Sequence, residues 1–215
     1  MWIFLWIVLS AILLGTTGWS LVILLRQKKA WEAYAKSKNF TFTRGTYMGP
    51  AEMSGVINDY KVSFFSVERQ SNDMRTRRYM TALEIELTEP VVDAAAMGTK
   101  EMLSFMQSIA TLKPTKIESP HWDESLFAFM RNEESVKAYL TPERIEAYAT
   151  ILKTRGADIL IVFNEKKLVA RLETVDPMMD AGKIDKAVVR LLGLLEKVRL
   201  TPEQRAQYAA VQPAI

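Results

Sequence analysis

The sequence of 215 residues predicts an α+β fold, in which one N-terminal transmembrane helix precedes an antiparallel-sheet domain with helices on one face. Three observations predict this fold. Residues 2–25 carry no charged side chain. Several later segments alternate apolar and polar residues, as do strands of a sheet with one solvated face. Other segments repeat apolar residues at helical spacing, and strands mixed with helices in this order are typical of α+β domains.

The apolar segment 1–25 predicts a transmembrane helix. At about 1.5 Å per residue, two dozen helical residues reach about 36 Å, which exceeds a hydrocarbon core of about 30 Å. A cleaved signal peptide, the alternative, needs a basic residue before the apolar run and a small-residue cleavage site after it. Here no Lys or Arg precedes the run, and the sequence Arg26-Gln27-Lys28-Lys29 follows it, so we expect the helix to be retained.

The next segment, 26–38, predicts a basic juxtamembrane helix. Five of its residues are basic and only Glu32 is acidic. The positive-inside rule therefore predicts an external N-terminus and a cytoplasmic C-terminal domain. We expect Trp31 at the membrane interface, where an indole is well placed. The basic residues are candidates for contact with anionic lipid headgroups: Arg26, Lys28, Lys29, Lys36 and Lys38.

Residues 39–112 form a strand-rich first half that begins with a predicted hairpin. Apolar segments 53–57 and 60–67 flank Asn58 and Asp59, which tolerate the positive φ of a tight turn.

The period-2 alternation of 79–87 predicts a third strand. The polar, basic connection 70–78 predicts an exposed loop, and residues 102–110 predict a helix with Thr99 as its cap. A closed barrel formed by the first strands is the alternative arrangement.

Residues 113–124 contain two prolines and predict a connector to the second half of the domain, 125–215. That half predicts the order β-α-β-β-α. Its elements are a strand at 126–130, helices at 136–140 and 142–154, a hairpin of 158–163 with 168–175, and a last strong helix whose apolar stripe runs from Ile184 to Val198.

Two similar decamers, LTPERIEAYA at 140–149 and LTPEQRAQYA at 200–209, raise the question of an internal duplication. In both, Thr can cap a helix, and Pro occupies the first helical position, where its missing N–H is not needed. The flanking residues differ, so we interpret the decamers as two helices that begin alike rather than as a repeat.

Two further patterns suggest contacts with partners. Arginines cluster around the predicted loop, and guanidinium groups bind anionic groups in forked pairs. They are Arg69, Arg75, Arg77 and Arg78. Within the apolar segment, Ala11, Gly15 and Gly18 place small residues on one side, an arrangement that lets two membrane helices approach closely as a homodimer. A solvated loop and a chance spacing are the respective alternatives.

The sequence gives little indication of catalysis. It contains no cysteine and one histidine, His121, with Ser119, Asp123 and Ser125 nearby. Adjacent residues of an extended chain do not converge on one point, so no catalytic residue is predicted. Metal and nucleotide-binding signatures are absent, and no cofactor is predicted. The basic residues form two patches rather than one docking face, so we expect no nucleic-acid partner.

The segments LFAFMRNEESVKAYLTPERIEAYATIL (126–152) and ADILIVFNEKKLVARLE (157–173) resemble an uncharacterised family of bacterial membrane-anchored proteins. That family pairs a phenylalanine-bearing strand, a short helix, a Leu-Thr-Pro helix start and a hairpin. The Phe-Asp dipeptide expected at the strand start is missing here. The resemblance covers about the last 90 residues and implies a bacterial inner-membrane setting without implying an activity.

Together these observations predict a single-pass protein of the bacterial inner (plasma) membrane with a cytoplasmic binding or scaffolding domain. Its expected partners are the lipid bilayer, anionic headgroups and an unidentified protein. The alternatives are a membrane-proximal hydrolase or transferase and an extracytoplasmic domain.

Overall fold

The structure is a computed structural model that describes residues 2–47, 49–70, 77–89 and 91–211. Its helices are α1 Trp2–Lys38, α2 Leu103–Ser108, α3 Glu133–Tyr139, α4 Pro142–Leu152, α5 Ala181–Val198 and α6 Pro202–Val211, with a 3₁₀ turn at Lys100–Met102. Its strands are β1 Thr41–Thr43, β2 Glu52–Ile57, β3 Tyr60–Gln70, β4 Arg77–Leu87, β5 Ala95–Thr99, β6 Lys113–Thr115, β7 Leu126–Met130, β8 Ala157–Phe163 and β9 Leu168–Thr174.

The nine strands of the described residues form one antiparallel sheet in the order β1-β2-β3-β4-β9-β8-β5-β7-β6. The predicted α+β fold is confirmed, with a long apolar N-terminal helix ahead of the sheet. The pairing of β4 with β9 joins the strands of 39–112 to those of 125–215. The sheet is open, with β1 and β6 at its edges, so the alternative of a closed barrel is wrong.

The hairpin predicted around Asn58 and Asp59 is confirmed. Ile57 is paired with Tyr60, so the turn has two residues. Asn58 and Asp59 have φ angles of 48° and 69°. Two residues of positive φ are the signature of a type I′ turn, whose twist matches that of the flanking strands.

The main core lies on one face of the sheet, under the C-terminal part of α1 and under α3, α4 and α5. The apolar stripe predicted from Ile184 to Val198 is confirmed in α5, which buries Ile184, Val188, Leu191, Leu192, Leu195 and Val198. Tyr139 and Tyr148 are fully buried, and their hydroxyl oxygens are 2.8 Å apart. A buried Arg144 guanidinium donates to the backbone oxygens of Tyr139 and Arg199, which fastens α4 to the end of α5.

A second, smaller cluster occupies the opposite face of the sheet, where the 3₁₀ turn and α2 pack. Met102 and Met106, from the 3₁₀ turn and α2, pack against Ala96, Phe129 and Leu160 of three strands. These strands are covered on both sides. Their side chains are apolar on both faces, and the alternation that marks a half-exposed strand is lost.

Strands β5 and β6 lie where the sequence indicated none. β5 reads AAMGT, and four of its five residues are buried. β6 lies inside the predicted connector 113–124 as a three-residue edge strand. Thr99 does not cap a helix through its side chain, because its hydroxyl accepts the N–H of Ile159 at 3.3 Å.

The two similar decamers do begin helices. The Thr141 hydroxyl accepts the N–H of Arg144 at 3.4 Å, and the Thr201 hydroxyl accepts the N–H of Gln204 at 3.2 Å. The two helices are α4 and α6, and their common start follows from capping chemistry.

Candidate functional site

Helix α1 enters the domain core without a break. Trp31 is fully buried, and its ring centroid lies 5.7 Å from that of Phe64 in an edge-on arrangement. Tyr34 makes similar contacts with Phe40 and Phe64, at 5.8 and 6.2 Å. The expectation that Trp31 lies at the membrane interface is therefore wrong, because the indole packs against a strand of the domain.

Two polar contacts fasten the same helix about one turn before Trp31. The side chain of Gln27 donates to the hydroxyl of Thr81 at 3.2 Å, and both residues are buried. The ammonium group of Lys28 donates to the backbone oxygens of Thr46 and Tyr47 at 2.6 and 3.3 Å. These contacts fix the rotation and the height of the helix relative to the sheet, because each joins α1 to a segment distant in sequence.

A groove of about 730 Å³ lies between α1 and the domain. One wall follows the helix from Thr16 to Gln27, about 16 Å at 1.5 Å per residue. The opposite wall includes Ser66, Tyr79 and Val175. All the lining residues that the structure describes are uncharged.

The hydroxyl groups on the helical wall already have acceptors within the helix. Thr16 and Thr17 donate to the backbone oxygen of Leu13 at 3.0 and 2.8 Å, and Ser20 donates to that of Thr16 at 3.0 Å. The wall therefore presents mainly carbon to the groove. Sequence analysis missed this site. The one available signal was the group of hydroxyl residues within an apolar segment.

The predicted headgroup-binding residues have different environments. Lys28 is only 2% exposed and is bonded as described above. Lys36 is paired with Glu32 at 3.0 Å, and Lys38 is paired with Asp185 of α5 at 2.8 Å. Arg26 and Lys29 are exposed. The prediction that all five basic residues face lipid is wrong for Lys28, because its ammonium group is enclosed by the domain.

The small-residue stripe of Ala11, Gly15 and Gly18 lies on the exposed part of α1. A Cβ atom added at Gly15 or Gly18 would meet nothing within 4 Å. This side of the helix is open, and homodimer contact through it stays a prediction.

Three of the four arginines around the predicted loop lie in strands. Arg69 belongs to β3, Arg77 and Arg78 belong to β4, and Arg69 is paired with Arg78 in register. Arg75 lies outside the described residues. The sequence offered no alternation through 70–78, and the prediction of a loop is wrong for both of its ends. Binding of an anionic partner by these arginines stays a prediction.

Arg69 takes part in an ionic network on the sheet face opposite α1. Its guanidinium group lies 2.9 Å from a carboxylate oxygen of Asp158 and 2.7 Å from one of Glu173. Arg171 lies 2.8 Å from the other oxygen of Glu173. Burial raises the pKa of Asp158, and the nearby Arg69 opposes part of that rise. Arg69 is therefore held between strands by acids of this chain.

The segment around His121 does not form a nucleophile–base pair from its neighbours. The Ser125 hydroxyl donates to the Asp123 carboxylate, which also lies 2.8 Å from Lys153. These contacts lower the pKa of Asp123 to about 2, with the Lys153 hydrogen bond as the largest cause. The Ser119 hydroxyl accepts the backbone N–H of His121 at 3.3 Å. The Asp123 carboxylate is thus bonded to Ser125 and Lys153.

A second surface is the polar side of β1, β2 and β3. Thr41, Thr43 and Ser63 line a shallow depression of about 320 Å³ there, together with Lys61. Val56 is 68% exposed and lies directly opposite Lys61 in register. Among the described residues, α2 and the 3₁₀ turn pack on β5, β7 and β8, so this end of the sheet is uncovered.

Comparisons of the chain with protein-family models, curated proteins and solved structures found no match. The resemblance noted above therefore stays a prediction. Within the described ranges, histidine, aspartate and glutamate residues do not gather in groups of three or more that could hold a metal ion. One described helix, Trp2–Lys38, is long and apolar enough to cross a membrane, and none of its most apolar 18-residue window is buried.

Proposed function

We propose that this chain is a single-pass protein of the bacterial inner membrane that holds a cytoplasmic binding domain at the bilayer surface, as an accessory or scaffolding component. The continuity of α1 is the observation that carries the proposal. The helix is exposed and uncharged from Trp2 to Ser20, and it is fully buried in the domain at Trp31. A core helix would be buried throughout, and a cleaved leader would not supply core side chains.

Because α1 continues unbroken from its apolar segment into the domain, it sets the orientation of the domain relative to the membrane. No proline or glycine lies between Ser20 and Lys38, and kinks occur mainly at such residues. Exposed Tyr47, Tyr79 and Val175 lie at the end of the domain where α1 leaves it. Tyrosine is suited to the headgroup layer, since its ring is apolar and its hydroxyl is polar. The domain would therefore rest on the membrane with this end down.

The uncovered polar face of β1, β2 and β3 is the surface that we propose for a protein partner. It combines exposed Thr41, Thr43, Glu52 and Lys61 with an exposed Val56. A non-obligate interface is, as a whole, about as polar as the rest of a protein surface and has a polar rim, so a polar face with one exposed apolar side chain is compatible with such an interface.

Membrane topology is tested by single-cysteine labelling, because the natural chain has no cysteine. Ser104→Cys places an exposed thiol on α2, and Ser10→Cys places one in the apolar segment. With a membrane-impermeant maleimide, we expect the position 104 variant to react only after spheroplasts are permeabilised. The position 10 variant should stay unreactive until detergent is added. Labelling at position 104 in intact spheroplasts would show an extracytoplasmic domain.

Partner binding is tested by placing p-benzoyl-phenylalanine at position 56 and irradiating native membranes. Val189 on α5, 58% exposed, is the matched control position. We expect a discrete protein adduct at position 56 that is absent at position 189 and weakened at least five-fold by Lys61→Glu. Equal adducts at both positions, or insensitivity to the Lys61 change, would rule out this face as the binding surface.

A further inference from the structure

The groove between α1 and the sheet opens toward the apolar segment of the helix. If the span begins at Trp2, about 20 residues at 1.5 Å each cross the hydrocarbon core of about 30 Å. The span then ends near Leu21. The groove begins at Thr16, so its upper part lies at the depth of the acyl chains, and its lower part reaches Gln27 beyond them.

We infer that the groove holds an acyl chain of a bilayer phospholipid, which enters sideways from the surrounding leaflet. The inference rests on the proposed membrane anchoring and adds a ligand class to it. The volume of the groove, about 730 Å³, lies within the range of about 300–1,000 Å³ that small-molecule sites occupy.

The chemistry of the walls selects the acyl chain rather than the headgroup. No described lining residue is charged, so a phosphate would lack a counter-ion inside the groove. Leu21, Leu24 and Met80 contribute apolar side chains. The helical hydroxyls donate to their own backbone, so they make no demand on the ligand. Gln27 and Thr81 close the lower part of the groove by bonding to each other at 3.2 Å.

The groove is also fixed in place by the core. Trp31 and the Lys28 contacts hold α1 against the domain below it. The two walls therefore cannot separate freely, and the site exists before the lipid arrives. Filling it with hydrocarbon costs little, since a chain of the same leaflet is already adjacent and apolar walls favour it over water.

The test uses the full chain in proteoliposomes of phosphatidylcholine with p-benzoyl-phenylalanine at single positions. Position 175 lines the groove, and Val175 is 65% exposed, so the probe is tolerated there. Position 189 is the control, since Val189 is 58% exposed on α5. After irradiation, intact-mass measurement should show a phospholipid adduct at position 175 at least five-fold more abundant than at position 189.

Other outcomes are equally informative. A probe at position 9, in place of the 47% exposed Leu9, reports membrane insertion independently of the groove. Lipid adducts at position 9 without any at position 175 would overturn the groove inference while leaving the anchor intact, and no adduct at either would overturn both. A dimer adduct at position 175 would show that a second copy fills the groove. Adding phosphatidylglycerol should change the yield at position 175 by less than two-fold, and dependence on the anionic lipid would overturn the acyl-chain assignment in favour of a headgroup site.

Discussion

Substitution Trp31→Ala is expected to lower the free energy of unfolding of the domain by about 3–5 kcal/mol, as for other buried Trp residues cut to Ala. The indole is fully buried. A buried aromatic side chain covers about 150–250 Å², which at about 25 cal/mol per Å² corresponds to about 4–6 kcal/mol, and alanine keeps part of that area. The edge-on contact with Phe64, at 5.7 Å between centroids, adds about 0.5–1.5 kcal/mol.

The measurement is urea unfolding of the full chain in detergent micelles, followed by pulse proteolysis. With a slope of about 2 kcal/mol per M, a loss of about 4 kcal/mol moves the midpoint down by about 2 M. The matched control is Trp19→Ala, because Trp19 is 66% exposed in the apolar segment. Its midpoint should equal that of the natural chain within about 0.3 M, since exposed substitutions change stability by about 0.5 kcal/mol or less. If both variants unfold at the same urea concentration, α1 does not belong to the core, and the groove and the proposed anchor geometry are wrong as well.

Three further predictions follow from other contacts. A truncated chain without residues 1–25 should still melt cooperatively when followed by circular dichroism. A chain without residues 1–38 should show no melting transition, because Trp31 and Tyr34 are lost from the core. Equal melting of the two truncated chains would contradict this prediction. Gly55→Ala should destabilise by about 1–3 kcal/mol in urea unfolding, because the new Cβ would lie 2.0 Å from the Phe40 ring. The control is Gly15→Ala, which should leave the stability of the domain unchanged because the added Cβ meets open space. If Gly55→Ala also leaves the stability unchanged, Phe40 moves aside without cost. The Arg199 hydrogen bond lowers the pKa of Glu89 below its usual 4.5, so the stability it contributes is present above pH 4.5 and is lost as the pH falls through the lowered value. The stability difference between the natural chain and Glu89→Gln should therefore shrink below pH 4.5, and a difference that stays constant from pH 7 to pH 3 would refute this.

The elements that sequence analysis located correctly depend on contacts within a few residues. Asn58 and Asp59 define a turn by their own φ angles. Thr141 and Thr201 cap helices by accepting an N–H three residues later. The strand around Leu83 shows its period because one face of that part of the sheet keeps polar side chains such as Glu84 and Glu86.

The two strands that the sequence did not indicate, β5 and β6, depend on the elements that pack or pair with them. β5 is covered by the main core on one face and by α2 on the other, so its residues are apolar or small throughout and carry no period. β6 has three residues and exists because β7 offers a free edge. The strands that pair with β5 begin at residues 126 and 157, so no local pattern could indicate the pairing.

The same distinction separates the correct and incorrect site predictions. The uncharged run determines, by composition alone, that the N-terminal helix is apolar enough to cross a membrane. The partners of Lys28, Trp31 and Arg69 were decided only by the tertiary structure, because they lie 18, 33 and 89 residues away along the chain. The groove likewise exists only where α1 meets segments near positions 50, 80 and 175. Transfer free energies and capping bonds are properties of a segment, whereas burial, ion pairing and cavities are properties of surfaces that folding brings together.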